Sequence, residues 1–160
     1  MRRKPVKIVI DSLIQLASVY AGYVLIGFGF DKVLGINSSI AGFKQIGAGL
    51  GVDPTAFRYF VGAQEIGVSL ALFAAALVFL PERFSLLQTW ARRVYLAGSV
   101  GLVATMVGAL ATEAIVRPGE QNWLVYLAIR LGVIGVFASA WALRSFGLGR
   151  LGRLFRRAEN

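Results

Sequence analysis

A carboxylate and a guanidinium interrupt two of the most apolar stretches of this sequence. Glu65 follows Gln64 in FVGAQEIGVSLALFAAALVFL, residues 60–80, and Arg130 lies within WLVYLAIRLGVIGVFASAWAL, residues 123–143. A charge held in hydrocarbon costs about 3 kcal/mol or more, so such residues face a bundle interior, find partners and often mark a functional site. The sequence therefore raises the question of what faces Glu65.

The segments that carry these charges are long enough to cross a bilayer. Hydrophobic residues make up 57% of the 160 residues and charged residues 16%. A transmembrane helix needs about 20 apolar residues. Four segments meet this requirement, at residues 12–30, 57–80, 94–116 and 123–146. We predict an all-α integral membrane protein, a four-helix transmembrane bundle that forms a single domain over residues 1–160.

The basic residues are distributed unevenly between the two sides of this bundle. Twelve of the seventeen Lys and Arg precede the first span, separate the second and third, or lie at the end of the fourth and in the tail after it, whereas the other side holds four, which are Lys32, Lys44, Arg58 and Arg117. The positive-inside rule then predicts that both termini are cytoplasmic, in the cytoplasmic membrane of a bacterium or archaeon. The basic amphipathic tail, residues 147–160, is expected to lie on anionic lipid. The net charge of +9 thus favours the lipid bilayer over nucleic acid as the partner.

A glycine-rich connection joins the first two spans at the outer side. Ser39 is predicted to cap a short interfacial helix, and glycines at 47, 49 and 51 are predicted to break it. The apolar residues of that helix recur at near-helical spacing, at Ile40, Phe43, Ile46 and Leu50. Asp53 and Pro54 are typical of a helix start, so the second span is expected to begin there.

Small residues recur along the third and fourth spans at alternating spacings of four and three. They are Ala97, Gly101, Ala104, Gly108 and Ala111 in the third, and Gly132, Gly135, Ser139 and Ala142 in the fourth. Small faces let transmembrane helices approach closely. We expect both stripes to pack inside the bundle, with a homo-oligomer interface as the alternative.

The charged residues are predicted to form one cluster in the outer third of the bundle. Glu65 and Arg130 lie at matching depth, roughly 10–12 Å below the outer end, which predicts that they form an ion pair. Lys32, Gln64 and Glu113 complete the cluster, and the inner two-thirds of the bundle are expected to be apolar. Two interpretations stay open, a pocket for a polar or quinone-like head group and a structural salt bridge that fixes helix order.

The sequence contains neither Cys nor His. Thiol chemistry, Cys/His zinc sites, bis-His haem and Ser-His-Asp catalysis are therefore excluded. No metal ligands and no catalytic residues are identified, and we do not expect the chain to be an enzyme by itself. Any redox centre must be carried by another subunit or be a bound small molecule, for which a quinone is the candidate.

Short motifs in residues 20–75 resemble those of the DoxX-like family of small four-helix membrane proteins. They are GFDK at residues 29–32, GF at 42–43 and FVGAQE at 60–65. The resemblance implies a role in quinone-linked thiosulfate oxidation or in membrane oxidoreductase assemblies of oxidative-stress defence. It also implies that Lys32 and Glu65 are the polar residues of the bundle.

Three functions follow as hypotheses. The first is a partner-dependent subunit of a quinone-linked or oxidative-stress-related membrane oxidoreductase. The second is a small carrier for an anionic or lipidic solute, with Arg130 and Lys32 as charge partners. The third is a structural or assembly subunit that binds other membrane subunits through its small-residue faces.

Overall fold

The computed structural model describes residues 5–79, 85–116 and 123–147. These residues form helices and their short connections, with no strand among them. The helices are α1 (Pro5–Leu34), α2 (Asn37–Leu50), α3 (Pro54–Phe73), α4 (Ser85–Val116) and α5 (Trp123–Ala142); a 3₁₀ segment, Ala74–Phe79, continues α3, and a π-helical turn, Leu143–Gly147, continues α5. The predicted amphipathic tail lies outside the described residues from residue 148 onward, as do residues 80–84 and 117–122.

Four of the helices are long and apolar enough to cross a membrane, which confirms the prediction of an all-α, multi-pass architecture. The spans are Val9–Leu34, Pro54–Leu77, Leu86–Val116 and Trp123–Ser145. The first and third begin earlier than predicted, and α1 continues through Lys32 to Leu34. The four residues after the predicted end of span one thus belong to the helix, so Lys32 is held on a rigid element.

The four long helices pack as a square. α1 packs against α3 and α5, and α4 packs against the same two helices, so α3 and α5 are diagonal neighbours. The core is built from residues such as Leu25, Leu72, Tyr95, Leu102 and Leu131. α2 packs chiefly on α3 and covers one end of the square, where α1 and α4 end and α3 and α5 begin. We call this the α2 end.

Glycines and one aspartate set the boundaries at the α2 end. Gly35 and Gly51 adopt φ angles of 73° and 68° and terminate α1 and α2, a conformation that glycine enters without a Cβ penalty. The Asp53 carboxylate accepts a hydrogen bond of 2.6 Å from the Ala56 amide, which confirms the predicted cap of α3. The predicted Ser39 cap is wrong. Ser39 lies inside α2, which starts at Asn37 without a side-chain cap.

α2 also extends further than its glycines suggested. Gly47 and Gly49 are part of the helix, and only Gly51 ends it. Gly47 is buried, and a Cβ there would lie 2.9 Å from the carbonyl oxygen of Val52 and from Pro54. This glycine therefore permits the chain to turn back closely from α2 into α3.

The small-residue stripes behave differently on the two helices. On α5 the stripe packs inward, where a Cβ on Gly135 would meet Val103 at 2.9 Å. On α4, Gly101 contacts Val68, but Ala97, Ala104, Gly108 and Ala111 are exposed. The prediction of internal packing is thus wrong for most of the α4 stripe, because the buried face of α4 runs through Tyr95, Leu102 and Met106.

The closest approach of α1 and α3 depends on two glycines. A Cβ on Gly62 would lie 2.9 Å from both the carbonyl oxygen of Gly29 and the Cβ of Lys32. A Cβ on Gly29 would lie 2.9 Å from the carbonyl oxygen of Gly62 and 2.7 Å from Ile66. Two backbones can touch at this depth only because both positions lack a side chain.

We predict that Gly62→Ala destabilises the bundle by about 1–3 kcal/mol, because its methyl group must push the two backbones apart. Gly27→Ala is the matched control, since a Cβ at Gly27 meets nothing within 4 Å. Thermal unfolding in detergent measures both. Equal melting temperatures for the two variants would contradict the proposed tight crossing.

Candidate functional site

The centre of the candidate site is an ion pair between Lys32 of α1 and Glu65 of α3. The ammonium nitrogen of Lys32 lies 2.9 Å from Oε1 and 2.7 Å from Oε2 of Glu65, so it donates to both carboxylate oxygens. The side chains are 15% and 9% exposed, respectively. A third hydrogen bond of Lys32 goes to the carbonyl oxygen of Phe28 at 3.4 Å, one turn back along α1. The carboxylate in the second span thus has a charged partner.

Helix direction explains why these two residues meet. Side chains tilt toward the N-terminus of their own helix. In the antiparallel pair α1 and α3, this tilt sends Lys32 away from the α2 end and Glu65 toward it. Each charged residue lies three positions after one of the contact glycines, Gly29 and Gly62. The glycine crossing and the opposed tilts together bring the ammonium and the carboxylate into contact.

The predicted ion pair between Glu65 and Arg130 is wrong. Arg130 is exposed on α5, on the face that also carries Tyr126, Val133 and Phe137, whereas the buried face of this helix runs through Ala128 and Leu131. Matching depth along two helices does not place residues on facing sides. α5 also lies diagonally across the square from α3, so α1 offers the nearer cation.

The other two predicted members of the cluster do not join the ion pair. Gln64 points to the neighbouring helix, where its amide nitrogen donates to the hydroxyl of Thr105 at 3.0 Å. Glu113 is half-buried two turns further along α4, and the hydrogen bonds of Lys32 go to other groups. The structure therefore brings together Lys32 and Glu65, with Gln64 beside them, and separates Glu113 and Arg130 from them.

Arg58 is a residue of this region that the sequence interpretation counted only as a surface charge. It is 7% exposed and lies one turn into α3. Its guanidinium donates to the carbonyl oxygen of Lys32, one of the last carbonyls of α1 that no helical amide can reach. The cation also stabilises the negative end of the α1 dipole. Arg58 thus caps the helix that carries Lys32.

The opposite end of the bundle is not purely apolar, which contradicts the prediction for its inner two-thirds. The indole of Trp141 donates to the carboxylate of Asp11 at 2.8 Å, and the Ser18 and Tyr95 hydroxyls are 2.8 Å apart. The rings of Tyr95 and Trp141 meet edge to face at 5.8 Å. These contacts link α1, α4 and α5 through polar groups.

The sequence contained a signal for this second polar cluster. Asp11, Gln15 and Ser18 are spaced by four and three residues and so share one face of α1. All three are buried, and the amide nitrogen of Gln15 has no hydrogen-bond partner among the residues that the structure describes. The predicted span began at residue 12, which placed Asp11 outside the membrane and hid the pattern.

A groove between α4 and α5 offers a different kind of surface. Its volume is about 340 Å³ and its lining is entirely apolar. The lining includes Val103, Met106, Val107, Leu110, Ile129 and Val133. Such a groove has no group that could donate, accept or transfer a proton, and it suits an alkyl or isoprenoid chain.

Comparisons with protein-family models, curated proteins and solved structures give no match to this chain. The described residues contain no group of three or more His, Cys, Asp and Glu side chains that could hold a metal ion. The arrangement at the α2 end can bind a polar group in two ways. The Lys32 ammonium can donate to a carbonyl or an anion, and the Glu65 carboxylate can accept from a hydroxyl.

We predict that Glu65→Leu lowers stability by about 3 kcal/mol or more, since it leaves the Lys32 ammonium buried without a counter-charge. The exchanged pair, Lys32→Glu with Glu65→Lys, should recover most of this loss. Arg130→Gln should leave the melting temperature close to that of the wild type. Thermal unfolding in detergent measures these differences. If Arg130→Gln lowered the melting temperature as much as Glu65→Leu, the assignment of Lys32 as the partner of Glu65 would be contradicted.

Proposed function

We propose that this chain is a partner-dependent subunit of a membrane oxidoreductase assembly and binds the head group of a quinone at Lys32 and Glu65. The observation that carries the proposal is the ion pair itself, with a nitrogen–oxygen distance of 2.7 Å, held between membrane-spanning helices. A donor and an acceptor at the same depth match the two forms of a quinone head group. The oxidised form presents carbonyl oxygens, and the reduced form presents hydroxyls.

The proposal assigns binding to this chain and electron transfer to a partner. The sequence has no Cys or His, so the chain offers no bis-His haem site, no Cys-ligated iron–sulfur cluster and no thiol redox couple. Oxidation of a quinol releases two electrons and two protons, and the electrons must pass to a redox centre that the partner supplies. The resemblance to DoxX-like proteins points in the same direction.

The proposed site also requires an orientation and a membrane. In the sequence, twelve of the seventeen Lys and Arg belong to the N-terminal segment, the connection between the second and third spans and the C-terminal segment, all of which the predicted topology assigns to the side opposite the α2 end. By the positive-inside rule, that side is cytoplasmic, both termini face the cytoplasm, and α2 lies at the outer surface of a bacterial or archaeal cytoplasmic membrane. Lys32 and Glu65 would then bind a head group from the outer leaflet, while its tail lies in lipid.

Quinone binding can be measured without the partner. A short-chain benzoquinone should quench tryptophan fluorescence of the purified protein in detergent, chiefly from Trp123. The ring of Trp123 lies 6.0 Å from that of Phe28, and the Phe28 ring lies 5.4 Å from the Lys32 ammonium. We expect Trp123→Phe to lose most of the quenching and Trp90→Phe, at the opposite end, to keep it.

The double variant Lys32→Met with Glu65→Met separates a binding site from an architectural ion pair. Replacing a buried pair by apolar residues of similar volume is often neutral or stabilising, so the fold should survive. We expect quinone affinity to fall by about tenfold or more, because both hydrogen-bonding groups are gone. Arg130→Gln is the control and should bind normally. Unchanged affinity in the double variant would overturn the proposed site.

The exposed small residues of α4 favour a contact with a partner helix. Ala97, Ala104, Gly108 and Ala111 are exposed and recur at spacings of seven, four and three along one helix. Because hydrophobicity does not drive association within lipid, transmembrane helices use small faces of this kind to approach closely. This surface suits a subunit of the assembly, or a second copy of this chain.

We predict that Gly108→Leu disrupts assembly and leaves the monomer folded, because a Cβ at Gly108 meets nothing within 4 Å inside the protein. Gly101→Leu is not a suitable probe, since a Cβ at Gly101 would lie 2.9 Å from the Val68 side chain within the bundle. Crosslinking in native membranes measures the association, and Gly67→Leu on α3, also in open space, serves as the control. Identical crosslinking of both variants would exclude this face as the interface.

A further inference from the structure

A small cavity at the α2 end lies apart from the Lys32–Glu65 ion pair. It is enclosed between α2 and the first turns of α3 and has a volume of about 120 Å³. Its lining combines three apolar residues with a hydroxyl and two cations, and consists of Ile40, Phe43, Lys44, Pro54, Thr55 and Arg58. A space of this size is larger than a water molecule needs and small enough to be filled by a compact oxyanion.

The guanidinium of Arg58 is the unusual feature of this cavity. The residue is 7% exposed, yet no carboxylate within the described ranges forms an ion pair with it. Its contacts there are the carbonyl oxygen of Lys32 and the ring of Tyr59, whose centroid lies 4.5 Å from the guanidinium carbon. A guanidinium has five N–H donors, so one carbonyl leaves most of its hydrogen-bonding capacity for another acceptor.

A second cation lies at the same cavity. Lys44 is exposed on α2 and lines the space together with Arg58. Two cationic side chains that line one small volume repel each other, and an anion bound there would reduce this cost. The nearest acidic side chain in sequence, Asp53, is already used to cap α3 through the Ala56 amide.

We propose that this cavity binds a phosphate group, with Arg58 and Lys44 as its cationic ligands and the Thr55 hydroxyl as an additional donor. Arginine suits phosphate because its planar fork donates two parallel hydrogen bonds to two oxygens. The apolar wall of Ile40, Phe43 and Pro54 fits the glycerol and first methylene groups attached to a lipid phosphate. The same cationic pair could also bind free phosphate, and the source is decided by experiment.

Arg58 has a structural role as well, since it caps α1, so its own removal cannot test the proposal alone. Lys44 provides the separate readout. It is exposed, it has no hydrogen bond or ion pair within the described part of the chain, and its loss should not affect the fold. If the role of Arg58 were purely structural, Lys44→Gln would leave the affinity for a phosphate probe unchanged.

The experiment measures binding of three probes to the delipidated protein in nonionic detergent by isothermal titration calorimetry. The probes are a short-chain phosphatidylglycerol, the corresponding diacylglycerol, which lacks the phosphate, and inorganic phosphate. We expect the phosphatidylglycerol to bind and the diacylglycerol not to bind. Lys44→Gln should weaken binding by about threefold to tenfold, and Arg58→Lys by at least as much, because lysine lacks the bidentate fork. Arg130→Gln, which removes a charge outside the cavity, should change affinity by less than about twofold.

Each outcome decides something. Binding of the lipid alone identifies a phospholipid head group as the ligand, and binding of inorganic phosphate as well identifies the free ion. Equal binding of phosphatidylglycerol and diacylglycerol, or unchanged affinity in Lys44→Gln, overturns the proposal. The result is independent of the quinone proposal, because neither Lys44 nor the phosphate probes enter the test of the Lys32–Glu65 site.

Discussion

The structure depends on the contact of two backbones at Gly29 and Gly62. In water, burial of apolar surface would draw these helices together, but within a bilayer the lipid is as apolar as the protein, and close packing with polar contacts must select the neighbours. The glycines allow α1 and α3 to touch, and at that separation the Lys32 ammonium reaches both oxygens of Glu65. The charges in turn make separation of the helices costly, because each would lose its counter-ion in hydrocarbon.

The same logic extends around the square of helices. Gln64 and Thr105 link α3 to α4, Ser18 and Tyr95 link α1 to α4, and Asp11 and Trp141 link α1 to α5. Each link joins one particular pair of helices, which apolar side chains of similar size could not specify. The polar contacts at the two ends of α1 therefore fix both which helices surround it and its rotation about its own axis.

Sequence reasoning was most successful where one-dimensional information is sufficient. The four spans, the Asp53 cap and the interior position of Glu65 follow from apolar length, cap chemistry and the cost of a charge in lipid. The partner of Glu65 did not follow, because depth is a coordinate along a helix, whereas pairing also requires helix adjacency and rotation. Arg130 matches Glu65 in depth, but its helix is not adjacent to α3 and its side chain faces away from the bundle. Lys32 was predicted to lie at the end of its span. Because α1 continues for one further turn, Lys32 lies on the helix next to α3 and faces Glu65.

The pairing of Lys32 with Glu65 also determines the charge balance of the α2 end. Glu65 accepts from the Lys32 ammonium at both carboxylate oxygens. Arg58, which is almost fully buried, forms no ion pair with a carboxylate within the described ranges and instead donates to the carbonyl oxygen of Lys32 at the negative end of α1. A buried cation of this kind requires either solvent or an anion. The α2 end thus holds two separate arrangements of charge, the ion pair of Lys32 and Glu65 and the cationic lining formed by Arg58 and Lys44, and the two proposals assign a different ligand to each.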